Sequence, residues 1–404
     1  MQRTLLTLFF TSFFIHVFSQ NEKVKVYLNC NCDSTFIKQN TLFLDYVRDR
    51  TLSDIEVFVF DIANASGGRN YTFEFQGKNK FQEKENQLRV DVQQNLTLKE
   101  KREVLLQAYK LGLVYLLQDT DLQNQISVQY KNKNPEPLEN SKDPWKNWVF
   151  ELSGSFNFED EKSINEEEYN LDFEIDRVTE NWRIRADLGQ RRSIKFYSGE
   201  QEDYSSERKR SYFSGSVVKS ISNHFSTGLF GSFRKDTYRN YKAAYNLSPA
   251  LEYNFIPYDQ VLTREITLAY KIGYNSFAYF EETLYGFIEQ NLFNQSLTLN
   301  LRYRERWGNI YSYLVASQFL NGESQKRLTI NNAISLRVLR GLSLRLSGNF
   351  ELIRDQINLA KGETSIEDLL LRQRQISTNY QNRISLGLSY TFGSIYNNIV
   401  NTRL

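Results

Sequence analysis

The stretch GLSLRLSGNFEL, residues 341–352, alternates apolar and polar positions. Leu342, Leu344, Leu346, Phe350 and Leu352 share one parity, and Ser343, Arg345, Ser347, Asn349 and Glu351 share the other. Side chains of a β-strand point to alternate faces, so this strand is oily on one face and polar on the other. The pattern recurs from residue 145 to 393 and predicts roughly twelve antiparallel strands, an even number that suits an up-and-down barrel. They start near Asn147, Tyr169, Trp182, Ser211, Phe225, Ala244, Glu265, Gln295, Asn309, Arg327, Leu342 and Ile376. In the first, Trp148, Phe150, Leu152, Phe156 and Phe158 oppose Glu151, Ser153, Ser155 and Asn157; in the last, Ile384, Leu386, Leu388, Tyr390 and Phe392 oppose Arg383, Ser385, Gly387, Ser389 and Thr391.

The oily face meets either a second protein layer or lipid, and three features favour lipid. The connections alternate in length: short ones fall near Glu180, His224, Gly308 and Gly341, and longer polar ones at 159–168, 199–210, 234–243 and 359–375. Outer-membrane barrels have short periplasmic turns and longer outside loops, so this phase places both termini in the periplasm. The tryptophans also gather at the short-turn end, with Trp148, Trp182 and Trp307 on the oily parity, which predicts an aromatic girdle at one membrane boundary. Lastly, the opposite parity carries Glu151, Asp172, Glu174, Asp176, Arg183, Arg185, Asp187, Arg302, Arg304, Arg327, Arg337, Arg345 and Arg383, a charge density suited to a lumen and not to a buried second layer.

Residues 20–132 have a different character and predict a small mixed α/β domain. VKVYLN (24–29), IEVFVFDI (55–62), YTFEFQGK (71–78), QLRVDVQQ (87–94) and ISVQYKN (126–132) read as strands. A helical stretch is expected within Ser34–Arg50. A second helix starts at the capping box Thr97-Leu98-Lys99-Glu100 and carries Val104, Leu105, Ala108, Leu111, Tyr115 and Leu116 at helical spacing. The glycines of SGGRN lack the Lys-Ser/Thr of a phosphate loop and read as a hairpin turn. Residues 133–144, KNPEPLENSKDP in the stretch that starts at Lys133, are aperiodic and proline-rich, and predict a linker.

The N-terminus MQRTLLTLFFTSFFIHVFSQ has one charge, Arg3, ahead of an apolar run that is too short to span a bilayer. Residues 1–19 are therefore expected to be a secretory signal peptide, with Gln20 the first mature residue. Its removal lowers the formal net charge of +2 by that of Arg3. Such a balance gives no footprint for nucleic acid. The mean hydropathy of −0.54 averages over two unlike faces and does not argue against a barrel. A secreted location permits a disulfide between Cys30 and Cys32, although their i,i+2 spacing is tight. Too few soft ligands are present for a metal site, and no cofactor motif is found. His224 is the one histidine left after cleavage. It sits at a short turn with no nucleophile motif around it, so no catalytic residues are assigned.

The closing SLGLSYTF (385–392), with Gly387 ahead of Leu388, Tyr390 and Phe392, resembles the terminal-strand signal of Gram-negative outer-membrane β-barrel proteins. GSIYNNIVNTRL follows it as a short periplasmic tail. The whole layout is similar to an uncharacterised group of such proteins that carry a periplasmic domain ahead of the barrel. The resemblance implies the cell outer membrane as location, with membrane lipid, the barrel-assembly machinery and a periplasmic protein as partners. Glu174 is expected beside Arg183 or Arg185 in a narrow lumen crossed by acidic–basic contacts, the alternative being a water-filled pore. Ser365 to Leu371 is expected to form a short surface helix, the alternative being a plug. The leading function is a binding or assembly component, or a gated narrow passage, whose periplasmic domain contacts a partner. A passive diffusion pore and a lipid-acting barrel enzyme are the alternatives.

Overall fold

The computed structural model describes residues 23–63, 68–129 and 144–394, apart from 95, 119, 199–202, 262, 306, 321–324, 340 and 363–374. The expected signal peptide, nearly all of the linker, the helix expected over 365–371 and the C-terminal tail lie outside these residues.

The α/β domain is a five-stranded mixed sheet with a long helix on one face. Its elements are β1 (Lys25–Cys30), α1 (Ser34–Gln39), β2 (Asp45–Tyr46), β3 (Ile55–Ala63), β4 (Arg69–Gly77), β5 (Glu85–Val92) and α2 (Leu98–Leu117). The strand order is β2-β1-β3-β4-β5, with β1 parallel to both of its neighbours. Central strand β3 is buried on both faces from Ile55 to Val59. Val57, Phe73 and Phe75 belong to one core with Tyr109, Leu113 and Leu116 of α2. The capping box forms as expected: Thr97 N donates to Glu100 Oε2 at 2.8 Å, and Glu100 N donates to the Thr97 hydroxyl at 3.3 Å. Cys30 and Cys32 are disulfide-bonded.

Two local expectations change. The helix expected within Ser34–Arg50 forms at Ser34–Gln39 and leaves out Phe43, Leu44 and Val47, because the next segment finds a better backbone partner. Asp45 N and Val47 N each donate at 2.9 Å to the exposed edge of β1, and Thr41 Oγ1 donates to the Ile37 carbonyl. The strand expected over 126–132 has no ladder partner at residues 126–129; Ile126 packs on the core instead, beyond a 3₁₀ turn at Gln123–Gln125. Residues 130–132 lie outside the described set.

The rest of the chain is mainly β, a twelve-stranded antiparallel barrel sheet. Its strands are β6 (Trp148–Asp160), β7 (Ile164–Val178), β8 (Trp182–Ser198), β9 (Asp203–Ser220), β10 (Phe225–Asp236), β11 (Tyr241–Asn254), β12 (Arg264–Tyr279), β13 (Glu289–Glu305), β14 (Gly308–Phe319), β15 (Lys326–Leu339), β16 (Leu342–Ile353) and β17 (Tyr380–Tyr390). Each pairs with the next, and among the described residues β6 and β17 form no hydrogen-bonded pair with each other. The expected strand starts at the Trp end agree closely with those observed. At the far end β7, β9, β11, β13 and β15 begin earlier than expected and β17 later, at Tyr380 and not Ile376, and most of 159–168, 199–210 and 234–243, expected to be loop, is strand. Those polar segments still alternate, and cross-strand ion pairs hold them in the ladder: Lys195 with Glu166, and Arg192 with Glu207. Long far-end connections remain only at 280–288, 320–325 and 354–379, and the Trp end has a long one of its own at 255–263.

Among the described residues no second layer covers the oily face. Leu152 is 70%, Leu251 62% and Leu388 70% exposed. From Trp148 to Phe158 this face spans ten residue steps, which at about 3.3 Å each and a tilt of about 40° cover roughly 25 Å.

Candidate functional site: a lumen covered at both mouths

The cross-strand register puts all thirteen charged residues singled out in the sequence on one face of the barrel sheet, opposite the oily one. It also changes their partners. Glu174 lies opposite Glu151 on one side and Asp187 on the other, not beside Arg183 or Arg185. Arg185 pairs with Asp176 at 3.1 Å, and Arg183 faces Val178 and Val218. The result is a row of three carboxylates across β6, β7 and β8.

Among the described residues the ion pairs of the barrel strands run along the wall between neighbouring strands. Arg302 meets Glu265 at 2.9 Å, and Arg327 meets Glu351 at 3.5 Å and Asp355 at 2.9 Å. Arg183, Arg345 and Arg383 have no ion-pair partner among the described residues. Toward the far end the wall turns basic, with Arg191 directly opposite Arg210 and Arg208 stacked 4.4 Å from the Tyr238 ring centroid. Arg210 Nε is buried without a hydrogen-bond partner. The runs RRSIK and ERKRSY carry this basic half. Only strict parity counting through both would have shown it, because their polarity reads as loop.

Amides and hydroxyls fill the neighbouring wall. Ser248 donates to Asn246 at 2.8 Å, Asn246 to Asn275 at 2.8 Å and Asn275 to Asn294 at 2.7 Å, passing over the bare backbone of Gly273. Nearer the Trp end, Ser226 and Tyr258 both donate to Glu252 Oε1, at 3.1 and 3.0 Å.

The described start of the connection after β16, residues 354–362, lies across the far mouth. Asn358 Nδ2 donates to the Arg239 carbonyl at 2.9 Å, and Asn240 Nδ2 donates to the carbonyls of Asn358 and Glu281. Leu284 N donates to Leu359 O at 2.8 Å, and Lys361 N to Glu282 O at 2.7 Å. These bonds join β16 to the β10–β11 and β12–β13 connections. In a barrel of twelve, the first of these lies almost opposite β16. Ile357 and Leu359 are buried in the crossing.

The α/β domain covers the other mouth with the sheet face that α2 leaves open. Arg337 of β15 sits 5.4 Å from the Tyr27 ring centroid and 5.9 Å from that of Phe58. On the far side of the sheet seam, Gln94 Nε2 donates to Glu151 Oε2 of β6 at 2.9 Å. Arg304 of β13 is within electrostatic reach of Asp61 and Arg69. Arg337, Arg304 and Glu151, expected in the lumen network, thus form the rim on which the domain sits. Within the domain, Glu56 is fully buried and held by Arg50, through Nε at 2.9 Å, and by Lys78, which fixes the segment that carries Arg48 to Leu52.

Trp148, Trp182 and Trp307 lie at this same end, and Arg177 and Lys219 stack on the first two. His224 belongs to this aromatic rim. Its Nδ1 is 2.7 Å from the Asn254 carbonyl, and its ring stacks on Tyr253.

No family model matches this chain, and no curated protein does. Among solved structures, it is similar to the translocator domain of the autotransporter NalP from Neisseria meningitidis and to the beta domain of the Bordetella autotransporter BrkA. Each is 12% identical and covers 61% of this chain; 87% and 98% of their own lengths are covered, with TM-scores of 0.25 and 0.26. Superpositions this loose fix neither register nor function.

Proposed function

We propose that this chain is an outer-membrane β-barrel, with its Trp end and α/β domain in the periplasm, that works as a gated narrow passage or binding component. The membrane part of this reading is supported by the uncovered apolar band of roughly 25 Å, which matches the height such barrels present to lipid. No helix among the described residues is long and apolar enough to cross a membrane, so a crossing is made by strands. Outer-membrane lipid, the barrel-assembly machinery during biogenesis and a periplasmic protein meeting the α/β domain are the partners this implies. The reading assigns no catalytic step, and His224 serves as a rim residue.

The gating part rests on one observation, the covering of both mouths: residues 354–362, which follow β16, at one and the α/β domain at the other. The described contacts of the domain with the barrel include Gln94 with Glu151 and Tyr27 and Phe58 with Arg337, side-chain contacts of a kind that a partner can release. Planar-bilayer conductance of the full-length protein tests it. The intact protein is expected to be silent or to flicker, and the double substitution Gln94→Ala with Arg337→Ala is expected to raise the open fraction. Steady porin-sized currents from the intact protein would sink the gated reading in favour of a diffusion pore.

A further inference from the structure

Between the α/β domain and the barrel rim lies a crevice. Two cavities of about 650 and 300 Å³ meet there and share Tyr27, Arg48, Arg337 and Gly341 in their walls. Their size suits a small organic ligand or headgroup. The charge in the walls is unbalanced. Among the described lining residues, Lys38, Arg48, Arg50 and Arg337 stand with one carboxylate, Asp49. Arg50 is occupied by Glu56, and Asp49 Oδ1 accepts from Thr51 N at 3.0 Å. Arg48 is exposed and has no ion-pair partner among the described residues. Burial, and after it the nearby Arg48 guanidinium, pushes the Lys38 ammonium below its ordinary pKa, so this pair is short of negative charge.

The crevice opens onto the girdle. Trp307 lines it from the barrel side, and so do Tyr390 and Phe392, whose rings stack on each other. Above them Leu386 and Leu388 continue the exposed oily face of β17 away from the rim. Cations at the mouth of a cavity, aromatic rings beside them and an apolar track leading away form the sequence of surfaces that a phospholipid presents in reverse: phosphate, glycerol region, acyl chain.

We propose that this crevice holds the phosphate headgroup of an anionic phospholipid from the inner leaflet, with an acyl chain along Leu386 and Leu388. The inference rests on the outer-membrane reading above. Guanidinium groups bind phosphate oxygens through paired charge-assisted hydrogen bonds, and Arg48 and Arg337 approach the cavity from the two sides that must stay together for the mouth to remain covered. A bound headgroup therefore ties the α/β domain to the rim.

The test uses the full-length protein in vesicles of phosphatidylcholine, with and without phosphatidylglycerol. Protein is extracted in mild detergent, and its retained lipid is measured by mass spectrometry. Wild type is expected to retain phosphatidylglycerol in preference to phosphatidylcholine. Lys38→Gln and Arg48→Gln, both in the α/β domain and away from the barrel wall, are each expected to lower retention by roughly fivefold to tenfold. Arg345→Gln, a lumen cation, is expected to leave it unchanged. Equal retention by wild type and both crevice variants overturns the proposal. So does displacement of the lipid by soluble glycerol phosphate at matched concentration, which would assign the site to a free phosphate ester. Failure of the membrane reading looks different: the protein would not float with phosphatidylcholine vesicles at all.

Discussion

The Tyr212 hydroxyl donates to Asp172 Oδ1 at 2.6 Å, although the two residues lie on β9 and β7 with β8 between them. The reach is possible because Gly189 is the residue opposite both, and its missing side chain leaves a floor for the phenol ring. A Cβ at position 189 would collide with the Tyr212 ring and with Asp172 Oδ1. Gly189→Ala is expected to destabilise the barrel by about 1–3 kcal/mol, the usual cost of overpacking. Tyr212→Phe keeps the ring on its floor and removes one hydrogen bond, at a cost of about 1 kcal/mol. Urea unfolding in detergent, followed by the electrophoretic shift between folded and unfolded barrel, checks the order of the two. If Gly189→Ala proves neutral, the strand-spanning contact is not part of the folded wall.

Gly112 offers a sign test within the α/β domain. A glycine in a helix interior ordinarily costs about 1 kcal/mol relative to alanine, so Gly112→Ala would stabilise α2 by that amount on propensity alone. Here an added Cβ would run into the Phe75 ring, which is only 2% exposed and has nowhere to move. Gly112→Ala is expected to destabilise the domain by about 1–3 kcal/mol net, seen as faster amide exchange along α2 and β4. A stabilised helix would mean that α2 does not pack this closely on the sheet.

The contrast between these two glycines marks how far the sequence could be read. Parity alone was enough to set the oily and charged faces, because a slip of one residue would turn every side chain to the wrong face. It was enough for the existence of all twelve barrel strands, and the Thr-x-x-Glu spacing was enough for the capping box at Thr97. Parity says nothing about which residue lies directly opposite which, since shifting a strand by two residues preserves it. Glu174 could therefore be placed in the lumen from sequence, but its neighbours could not. Polarity misled at the far end, where Arg208 and Arg210, within the stretch 199–210 expected to be loop, lie in β9. The crevice at Arg48 joins residues nearly three hundred positions apart, and no local pattern carries that information.

The cap on α2 gives a pH dependence with a defined sign. Glu100 accepts hydrogen bonds from the backbone N–H and the hydroxyl of Thr97, and these hold its carboxyl below the ordinary carboxylate pKa. The ionised form is the one that is bonded in the folded state. The stability it adds is therefore present above the unfolded pKa of roughly 4.3 and lost as pH falls through the lower folded value. Thr97→Ala is expected to cost about 1 kcal/mol at neutral pH and less in acid, where Glu100 no longer reaches back. Amide exchange in the first turn of α2, measured for wild type, Thr97→Ala and Glu100→Gln between neutral and acid pH, reads this directly. An equal penalty for Thr97→Ala at both pH values would rule out the reciprocal cap.

The row formed by Glu151, Glu174 and Asp187 makes an opposite prediction, that removing a charged residue strengthens the wall. Directly opposed like charges on neighbouring strands repel, and Glu174 has a carboxylate on each side. Gln94 of the α/β domain donates to Glu151 and eases one end of the row, whereas among the described residues no cation is paired with Glu174. The side chain of Glu174 is exposed in the lumen, so water screens the repulsion and the gain is small. Glu174→Gln is expected to stabilise the barrel by about 0.5 kcal/mol, whereas Asp176→Asn, which breaks the pair with Arg185, is expected to cost a similar amount. Raising the salt concentration should shrink both effects together. If Glu174→Gln weakens the barrel instead, a cation must lie beside Glu174, and the register of β7 against β8 would have to shift by two residues to bring Arg185 there.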